Sequence, residues 1–544
     1  MIRLFLYPSP QKFAGKGAFF LESLPPDLSG EPIHDSLVRC HFPAFLSSLP
    51  CFFPIFAKKR RNMEITPQKM RYLYVLLFLT VVMTLPWLGL TDFHTKGEPR
   101  EAIVAQTMIA QDNWVMPHNN GGEIAYKPPF MHWCVAACGV LLGEVNEYAA
   151  RFPSALSAIL LAFGVYFFYA RRRDGRTALM TAFISFSSFE MFRAAFACRV
   201  DMVLTLCMAG AMMLLESWQE RGRKFGLPWM AILLMSLGTL TKGPVAIVLP
   251  CAVAWVCALL RREGWLRETI LMALSAVVSL ILPALWYYAA YQQQGDSFLQ
   301  LFLEENVYRF LGKMSYQSHE NGLWYYFVML PAGLLPWTLM VLPVICKRWN
   351  MQAVRERFRN MDRTEVFSLV AALCVFVFYC IPRSKRGVYI MPMYPFVAFF
   401  VAQYLCRTYT QRFVRRLATA VAALYTLAYA VVLPIVLNRK SDYDTACAIE
   451  RQVGDAPLTS YVAGSVPGNP MHYFTINFYL KDRVGVWGED GPAAPCGYLI
   501  IGEEDARRFI PREGYVFRRV DIPPHRSCDT RQNVCLYAYE AVKP

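Results

Sequence analysis

The stretch 227–260, LPWMAILLMSLGTLTKGPVAIVLPCAVAWVCALL, decides the class of this chain. It holds two apolar runs, 227–242 and 244–260, each near the length a helix needs to cross a hydrocarbon core of roughly 30 Å. Gly243 and Pro244 punctuate the join, and Lys242 is the one charge within the stretch. Basic segments close both ends, 221–224 before and 261–267 after. Short loops rich in Lys and Arg stay on the cytoplasmic side. The pair therefore reads as two spans that leave the cytoplasm and return to it, with Lys242 at the outer turn.

The same alternation continues in both directions. Apolar runs at 71–90, 153–170, 177–197, 201–218, 268–290, 323–345, 364–382, 387–405 and 417–437 bring the total to eleven spans. Basic loops at 58–61, 171–176, 347–363 and 407–416 fall on the cytoplasmic side of this arrangement. A further apolar run, 130–145, would turn every later basic loop outward if it crossed, so it is expected to lie at the interface or to re-enter. Of 544 residues, 55% are hydrophobic and 17% charged, more apolar than a soluble chain of this length. The formal charge of +15 is spread among the loops and leaves no compact basic domain to grip nucleic acid. These features predict an all-α polytopic membrane protein with about eleven to thirteen transmembrane helices.

This topology leaves three segments outside: loop 91–152, loop 292–322 and the tail 439–544. In the tail, Pro and Gly punctuate short apolar stretches such as 498–501 and 534–539, the pattern of a small α/β or α+β domain. Its four cysteines, Cys447, Cys496, Cys528 and Cys535, either pair as disulfides or stay as buried thiols. Residues 1–62 carry several prolines and no helical period, whereas MEITPQKMRYLY, from Met63, leads straight into the first span. They are expected to be a disordered, non-native extension, with 63–438 as the membrane domain. The intact mass of protein made from its own ribosome-binding site tests that start.

Chemistry is sought where ionisable groups gather on the outer side or persist at membrane depth, where keeping them is costly. Loop 91–152 is the richest, with Asp92, His94, Lys96, Glu98, Arg100, Glu101, His118, Glu123, Lys127 and His132. From Pro99 the segment PREAIVAQTMIAQ has helical spacing with acids at its start, as expected of an amphipathic helix lying on the membrane surface. Asp201 opens a span two residues after Arg199; an aspartate there needs a partner or caps the helix. Lys242, Arg309, Arg383, Lys385 and Arg386 fall at outer ends against the positive-inside trend, which suits either a phosphate ligand or anionic headgroups. His94, His118 and His132 admit a divalent metal but match no regular ligand spacing. There is no phosphate-binding P-loop, no HExxH and no CxxC.

The run GEPREAIVAQTMIAQDNWVMPHNNGGEIAYKPPFMHW at 97–133, followed by ARFPSAL at 150–156, resembles the bacterial aminoarabinose transferases of lipid A and, more distantly, the protein O-mannosyltransferases, both of the GT-C class. CRVDMVLTL at 198–206, LTKGPVAIVLP at 240–250, EENVYRFL at 304–311 and SKRGVYIMPMYP at 384–395 extend the likeness to about residue 438. The resemblance implies a GT-C fold in a bacterial inner membrane, with the active site and the tail in the periplasm. It implies transfer of a sugar from a polyprenyl (undecaprenyl) phosphate donor to a lipid, glycan or protein acceptor, lipid A among them. It further implies that Lys127 holds the carrier phosphate, a task suited to a lysine point charge at the interface; snorkelling to the headgroups is the plain alternative. Aligned without gaps, Gly97 stands where the family has an aspartate and Glu98 where it has a glutamate. Glu98 is then a base, an orienter of a metal or lysine, or a helix N-terminal charge, and Asp92 is near enough to substitute. Asp201 matches an aspartate near the carrier phosphate, and Tyr389 in VYIMP is suited to hydrogen-bond the same group.

The expected mechanism is an inverting transfer. Glu98 or Asp201 deprotonates or orients the acceptor, which attacks the anomeric carbon as the carrier phosphate leaves toward Lys127, Lys242, Arg309, Lys385, Arg386 and Tyr389. The transfer is expected to be metal-tolerant rather than metal-dependent, a divalent metal stays open, and no other cofactor is assigned. Donor, acceptor and bilayer are the expected partners; nucleic acid is not. Two other classes stay open. A secondary transporter would show solute flux without transfer, though no internal repeat is visible. A non-catalytic scaffold or transporter of envelope polysaccharide assembly would keep its function in Lys127→Ala and Glu98→Gln.

Overall fold

The computed structural model describes residues 66–542 except 126, 225, 309–312, 314–319, 346–350, 464–470, 489–490 and 510–513. The expected boundary at 62, the start at Met63 and the candidate Arg309 lie outside the described residues. The described residues belong to one compact unit, Ile65–Pro544.

The chain is a succession of helices: α1 (Pro67–Thr84), α2 (Gly97–Ala110), α3 (Phe130–Leu142), α4 (Glu147–Ala170), α5 (Gly175–Ser187), α6 (Phe189–Ala195), α7 (Val200–Glu220), α8 (Trp229–Lys242), α9 (Val245–Leu260) and α10 (Trp265–Gln294). There follow α11 (Asp296–Leu303), α12 (Tyr325–Gly333), α13 (Trp337–Ile345), α14 (Met351–Arg359), α15 (Arg363–Cys380), a 3-10 turn (Gly387–Met393), α16 (Tyr394–Thr408), α17 (Gln411–Leu427) and α18 (Leu433–Leu437). Local sequence sets the ends. The Asn146 side chain accepts from Ala149 N (2.9 Å) at the start of α4, Asp174 caps α5, and Asp362 forms a capping box with Glu365 at α15. Each satisfies N–H groups that a helix start leaves open.

Seven of the eleven expected spans are single helical stretches long and apolar enough to cross a membrane: Pro67–Trp87, Glu147–Ala170, Val200–Glu220, Trp265–Gln294, Arg363–Cys380, Gly387–Thr408 and Gln411–Lys440. The 227–242 and 244–260 runs form the shorter α8 and α9. The remaining two are broken. At 177–197 the Ser187 and Ser188 hydroxyls turn back onto the carbonyls of Phe183 and Ile184 (both 2.6 Å), and Phe189 N bonds instead to Leu335 O (2.9 Å), so α5 and α6 meet at an extended Ser188. At 323–345 the break follows Pro331 and Gly333, between α12 and α13. The 13-residue α3 is too short to cross.

The bundle's core lies between α1, α4, α5, α7, α15 and α16, filled by aromatic side chains such as Tyr166, Tyr169, Phe183, Phe192, Phe367 and Phe396. Their polar ends are partnered: Tyr169 OH meets Ser368 Oγ (2.8 Å), and Trp337 Nε1 donates to Ser187 Oγ (3.1 Å). Outward faces stay apolar, as Ile270, Val277 and Leu285 of α10 do. That pattern suits lipid, not water.

In the first loop, β1 (His118–Asn119) and β2 (Glu123–Ile124) form a small hairpin. The tail holds α19 (Tyr443–Val453), β3 (Leu458–Tyr461), α20 (Phe474–Tyr479), β4 (Val484–Val486), β5 (Cys496–Gly502), α21 (Glu503–Phe509), β6 (Tyr515–Val520) and β7 (Val534–Ala541). Its five strands run in the order β4-β3-β5-β7-β6, parallel from β4 to β5 and antiparallel beyond. Alternation along β5 sends Ile500 to the face covered by α19 and α20, and Leu499 and Ile501 to the face covered by α21. The tail is thus a small mixed α/β sheet domain. Its four cysteines are free thiols. In the β5–β7 register Cys496 lies opposite Glu540 while Cys535 lies opposite Ile501, at the far end of the pairing, too distant for a bridge.

Candidate active site

At the end of the bundle where α4 and α7 begin, the chain buries an unusual number of charges. Glu101, one turn into α2, is 4% exposed. It accepts from Lys127 Nζ and from His132 Nε2 (3.0 Å), with Arg100 Nη2 at 3.8 Å. Pro128 and Pro129 pre-set the entry into α3, which fixes Lys127 just before that helix and His132 in its first turn. Burial alone would raise the Glu101 carboxyl; the charge of Lys127 and the contacts from His132 and Arg100 overcome it and hold the group well below the usual carboxylate range.

A second pair lies beside the first. Lys242 Nζ, at the last residue of α8, donates to Asp201 Oδ1 in the first turn of α7 (2.5 Å). The same ammonium sits 4.3 Å from the ring centroid of Tyr389, in the 3-10 turn before α16. Lys127 and Asp201 are electrostatic neighbours. Asp201, Lys242, Tyr389 and Lys127, drawn from four distant parts of the sequence, therefore converge.

Other candidates hold different positions. Glu98 is 5% exposed. It binds Arg151 through both oxygens (Nε to Oε1 2.8 Å, Nη2 to Oε2 3.3 Å) and accepts from Cys198 N (3.0 Å). Burial would raise its carboxyl, but Arg151 and the Cys198 amide bring it below the usual value. Arg151 also reaches Leu88 O (2.9 Å) and Thr91 O (2.5 Å), so the pair ties α2, α4 and the end of the first span together. Three of the acceptor positions on Glu98 are thus taken, two of them by Arg151. At Asp92, Ser441 Oγ donates to Oδ2 (2.7 Å), the backbone N–H meets Asn438 Oδ1 (3.0 Å), and burial raises the carboxyl. Lys385 is 3% exposed and directs its ammonium to the carbonyls of Asn321 (3.1 Å) and Pro382 (2.5 Å), which staples its own loop. Arg386 opens the Tyr389 turn, and its carbonyl accepts from Tyr326 OH (3.2 Å).

Sequence reasoning counted Glu101 and His132 among the charges of the first loop, and His132 among three candidate metal ligands, but assigned neither a role in transfer; it left aside Arg151, and Arg199 as more than a partner of Asp201. Glu101 was detectable as the acid one helical turn after Glu98 on the same face. Arg199 takes the place that Gly97 leaves: a Cβ on Gly97 would lie 1.6 Å from Arg199 Nη2. A side chain at position 97 and the guanidinium cannot both occupy that corner.

The amphipathic surface helix expected from Pro99 onward is, in the structure, a buried one. Ten of the fourteen residues of α2 are buried. Val135 and Ala136 of α3 cover one side, and Phe478 of the tail packs on another, edge-on to Phe93 at 4.8 Å. Further bonds fasten the tail to the first loop: Asn120 N to Asp482 Oδ1 (2.8 Å), His472 Nε2 with Glu123 Oε1 (2.7 Å), and Tyr479 OH to Glu147 Oε1 (2.6 Å). The three loop histidines are not gathered; His94 meets Asp92 O, His118 meets Gln294, and His132 meets Glu101. Among the described residues the one trio of acid or thiol donors within 4.8 Å of one another is Asp442, Cys528 and Asp529 in the tail, where Asp442 already accepts from His525, Ser527 and Cys528.

Superposed on the crystal structure of ArnT from Cupriavidus metallidurans bound to undecaprenyl phosphate, the chain reaches a TM-score of 0.67 at 20% identity, over 86% of this chain and 98% of that one. The chain has the GT-C fold. The same protein's apo structure gives 0.64. Residues 126–288 of this multi-pass GT-C chain match the family described as dolichyl-phosphate-mannose-protein mannosyltransferase. Among curated relatives, the undecaprenyl phosphate-alpha-4-amino-4-deoxy-L-arabinose arabinosyl transferase of Shewanella sediminis is 27% identical over 353 residues, 62% of this chain and 60% of that protein. Its counterpart from Edwardsiella ictaluri is 28% identical over 317 residues, 57% and 55%. The GT-C chain thus spans less than two thirds of the length of the curated relatives it matches.

Proposed function

We propose that this protein is an inverting glycosyltransferase that takes a sugar from a polyprenyl phosphate, undecaprenyl phosphate in a bacterial inner membrane, and passes it to a lipid or glycan acceptor on the periplasmic face. The observation that carries the reading is the convergence of Lys127, Asp201, Lys242 and Tyr389 at the end of the bundle away from the basic loops. Each lysine is paired with a carboxylate, Lys127 with Glu101 and Lys242 with Asp201. A phosphate entering between them offers the lysines better-matched acceptors and leaves Asp201 free to act as base. Lys127 and Lys242 then hold the charge that develops on the leaving phosphate, with Tyr389 beside Lys242. The acceptor oxygen attacks the anomeric carbon, its proton passes to Asp201, and the carbon–oxygen bond to the carrier phosphate breaks. Glu98 with Arg151 acts as a positioning pair beneath the site. The resemblance of the chain to aminoarabinose transferases makes an anionic glycolipid such as lipid A the favoured acceptor.

In this reading 63–438 is the catalytic unit and 439–544 is a periplasmic cap that limits which acceptors reach the site. Its bonds to the first loop support that role. The test is transfer of label from a panel of undecaprenyl-phosphate sugars to membrane extracts by the purified protein and its Lys127→Ala variant. Label that moves with the intact lysine alone supports the reading. Absence of transfer from every donor by folded protein contradicts it.

A further inference from the structure

The opposite end of the bundle contains a cavity that the proposed reaction does not use. It lies between the start of α5 and the last turn of α16, has a volume of about 300 Å³, and is lined chiefly by Arg173, Asp174, Arg176, Gln403 and Arg407. From the active-site end it is separated by the length of α4, whose 24 residues span about 36 Å.

Its side chains present donors. Asp174, the one acid, caps α5 through Oδ1, which accepts from Arg176 N and Thr177 N (both 3.0 Å), and its charge is outnumbered by the three arginines of the lining. Arg173 is paired with Asp362. Among the described residues the Arg176 guanidinium makes a single long contact, to Tyr409 O (3.5 Å). Among the described residues the Arg407 guanidinium has no hydrogen-bond or ion-pair partner. Gln403 is the most telling: it is 6% exposed, and its Nε2 is buried without any hydrogen-bond partner. A buried amide left unpaired is destabilising, so the site calls for an acceptor. A cation here would meet the arginines, and an apolar group would leave the Gln403 amide unsatisfied. A small anion with several acceptor oxygens satisfies both, and the planar guanidinium fork matches phosphate.

We propose that this cavity binds the phosphate of an anionic bilayer lipid. Its position at the last turn of the spanning stretch Gly387–Thr408, between the basic segments 171–176 and 407–416, places it at headgroup depth on the cytoplasmic side, where anionic lipids meet basic pockets between helices. A free phosphate ion offers the same oxygens without the anchoring chains, so the two sources are separable.

The experiment uses the full-length protein in a neutral detergent and follows thermal unfolding during titration with phosphatidylglycerol, phosphatidylcholine or inorganic phosphate. Phosphatidylglycerol alone is expected to raise the midpoint. Its apparent affinity is expected to fall at least about tenfold in the Arg176→Gln/Arg407→Gln variant, because two charge-assisted contacts are lost, and to hold in an Arg412→Gln/Arg415→Gln control. Gln403→Leu removes the unpaired amide, so it is expected to weaken the lipid response without lowering the lipid-free midpoint, which keeps the test decisive if the double variant folds poorly. An equal gain from phosphatidylcholine, an equal gain from inorganic phosphate, or a phosphatidylglycerol gain unchanged in both cavity variants overturns the proposal.

Discussion

The two ends of the helical bundle bury acids in opposite company. At the basic-loop end, Glu216 is held by Arg261 (2.7 and 2.8 Å) and by Arg363 Nε (2.8 Å), Glu263 by Arg223 (2.6 Å), and Glu268 by Arg223 and Gln219. At the site end, Glu101 and Asp201 are held by lysines, with side-chain exposures of 17% for Lys127 and 24% for Lys242. Arginine holds a carboxylate with directed guanidinium donors, here Arg261 Nη2 on both Glu216 oxygens and Arg363 Nε on one of them. A lysine is a point charge on a flexible stem and can exchange one oxygen for another. The first arrangement suits structure; the second suits a site that must release an acid when phosphate arrives. The Glu98–Arg151 fork lies at the site end yet belongs, by this criterion, with the structural pairs.

Mutations that exchange these roles test the contrast, beginning with the largest effect. Asp201→Asn is expected to cut transfer by about 10²–10⁴-fold, the usual range for a lost general base, with unfolding unchanged. Glu216→Gln is expected to do the reverse: loss of about 3–5 kcal/mol of stability from a broken buried network, with normal turnover per folded molecule. Rate and melting measured on the same preparations decide between them. Next, Lys127→Ala is expected to lower transfer about 100-fold while sparing the fold, and Lys127→Arg to stay well below wild type, because a fork would hold Glu101 too firmly to yield to phosphate. Full activity of Lys127→Arg would erase the lysine–arginine distinction. Gly97→Asp comes third. Its side chain must expel Arg199 from the corner it fills, and an approximately tenfold loss of transfer is expected, since misplacement near a site is costly.

The smallest effect concerns an acid with neither kind of partner. Asp529, in the tail, is raised to about 7, chiefly by burial and with Asp442 adding to it, against a bond from Thr475 N. Its folded value lies above its unfolded one, so its contribution to stability is full below about pH 4 and lost as pH rises through about 7. The depressed Glu101 has the opposite sign: its contribution is present at neutral pH and lost as the solution is acidified through its folded value. Asp529→Asn is expected to flatten the fall in melting temperature between pH 5 and 8, and a slope unchanged in that variant would assign it elsewhere.

Much of this was legible in the sequence, and the exceptions share a cause. Periodic apolar length identified the spans, and charge at outer ends singled out Asp201 and Lys242, because the membrane penalises any charge without a purpose; Lys127 was singled out by the family resemblance. Burial of α2 was not legible, since it depends on Phe478 and Tyr479, far away in the tail. The break at Ser188 depends on Leu335 O across the bundle. Lys385 looked available because its partners are backbone carbonyls, which leave no mark in sequence. Glu101 was overshadowed by Glu98, where the resemblance placed the family's glutamate; only geometry reveals that Arg151 has claimed both Glu98 oxygens.

The most direct test of the central claim is transfer from labelled undecaprenyl-phosphate sugars by purified wild-type, Asp201→Asn and Glu98→Gln proteins, each normalised to its folded fraction. The account predicts that Asp201→Asn abolishes transfer while folded Glu98→Gln retains most of it. Loss confined to Glu98→Gln, with Asp201→Asn fully active, would contradict it.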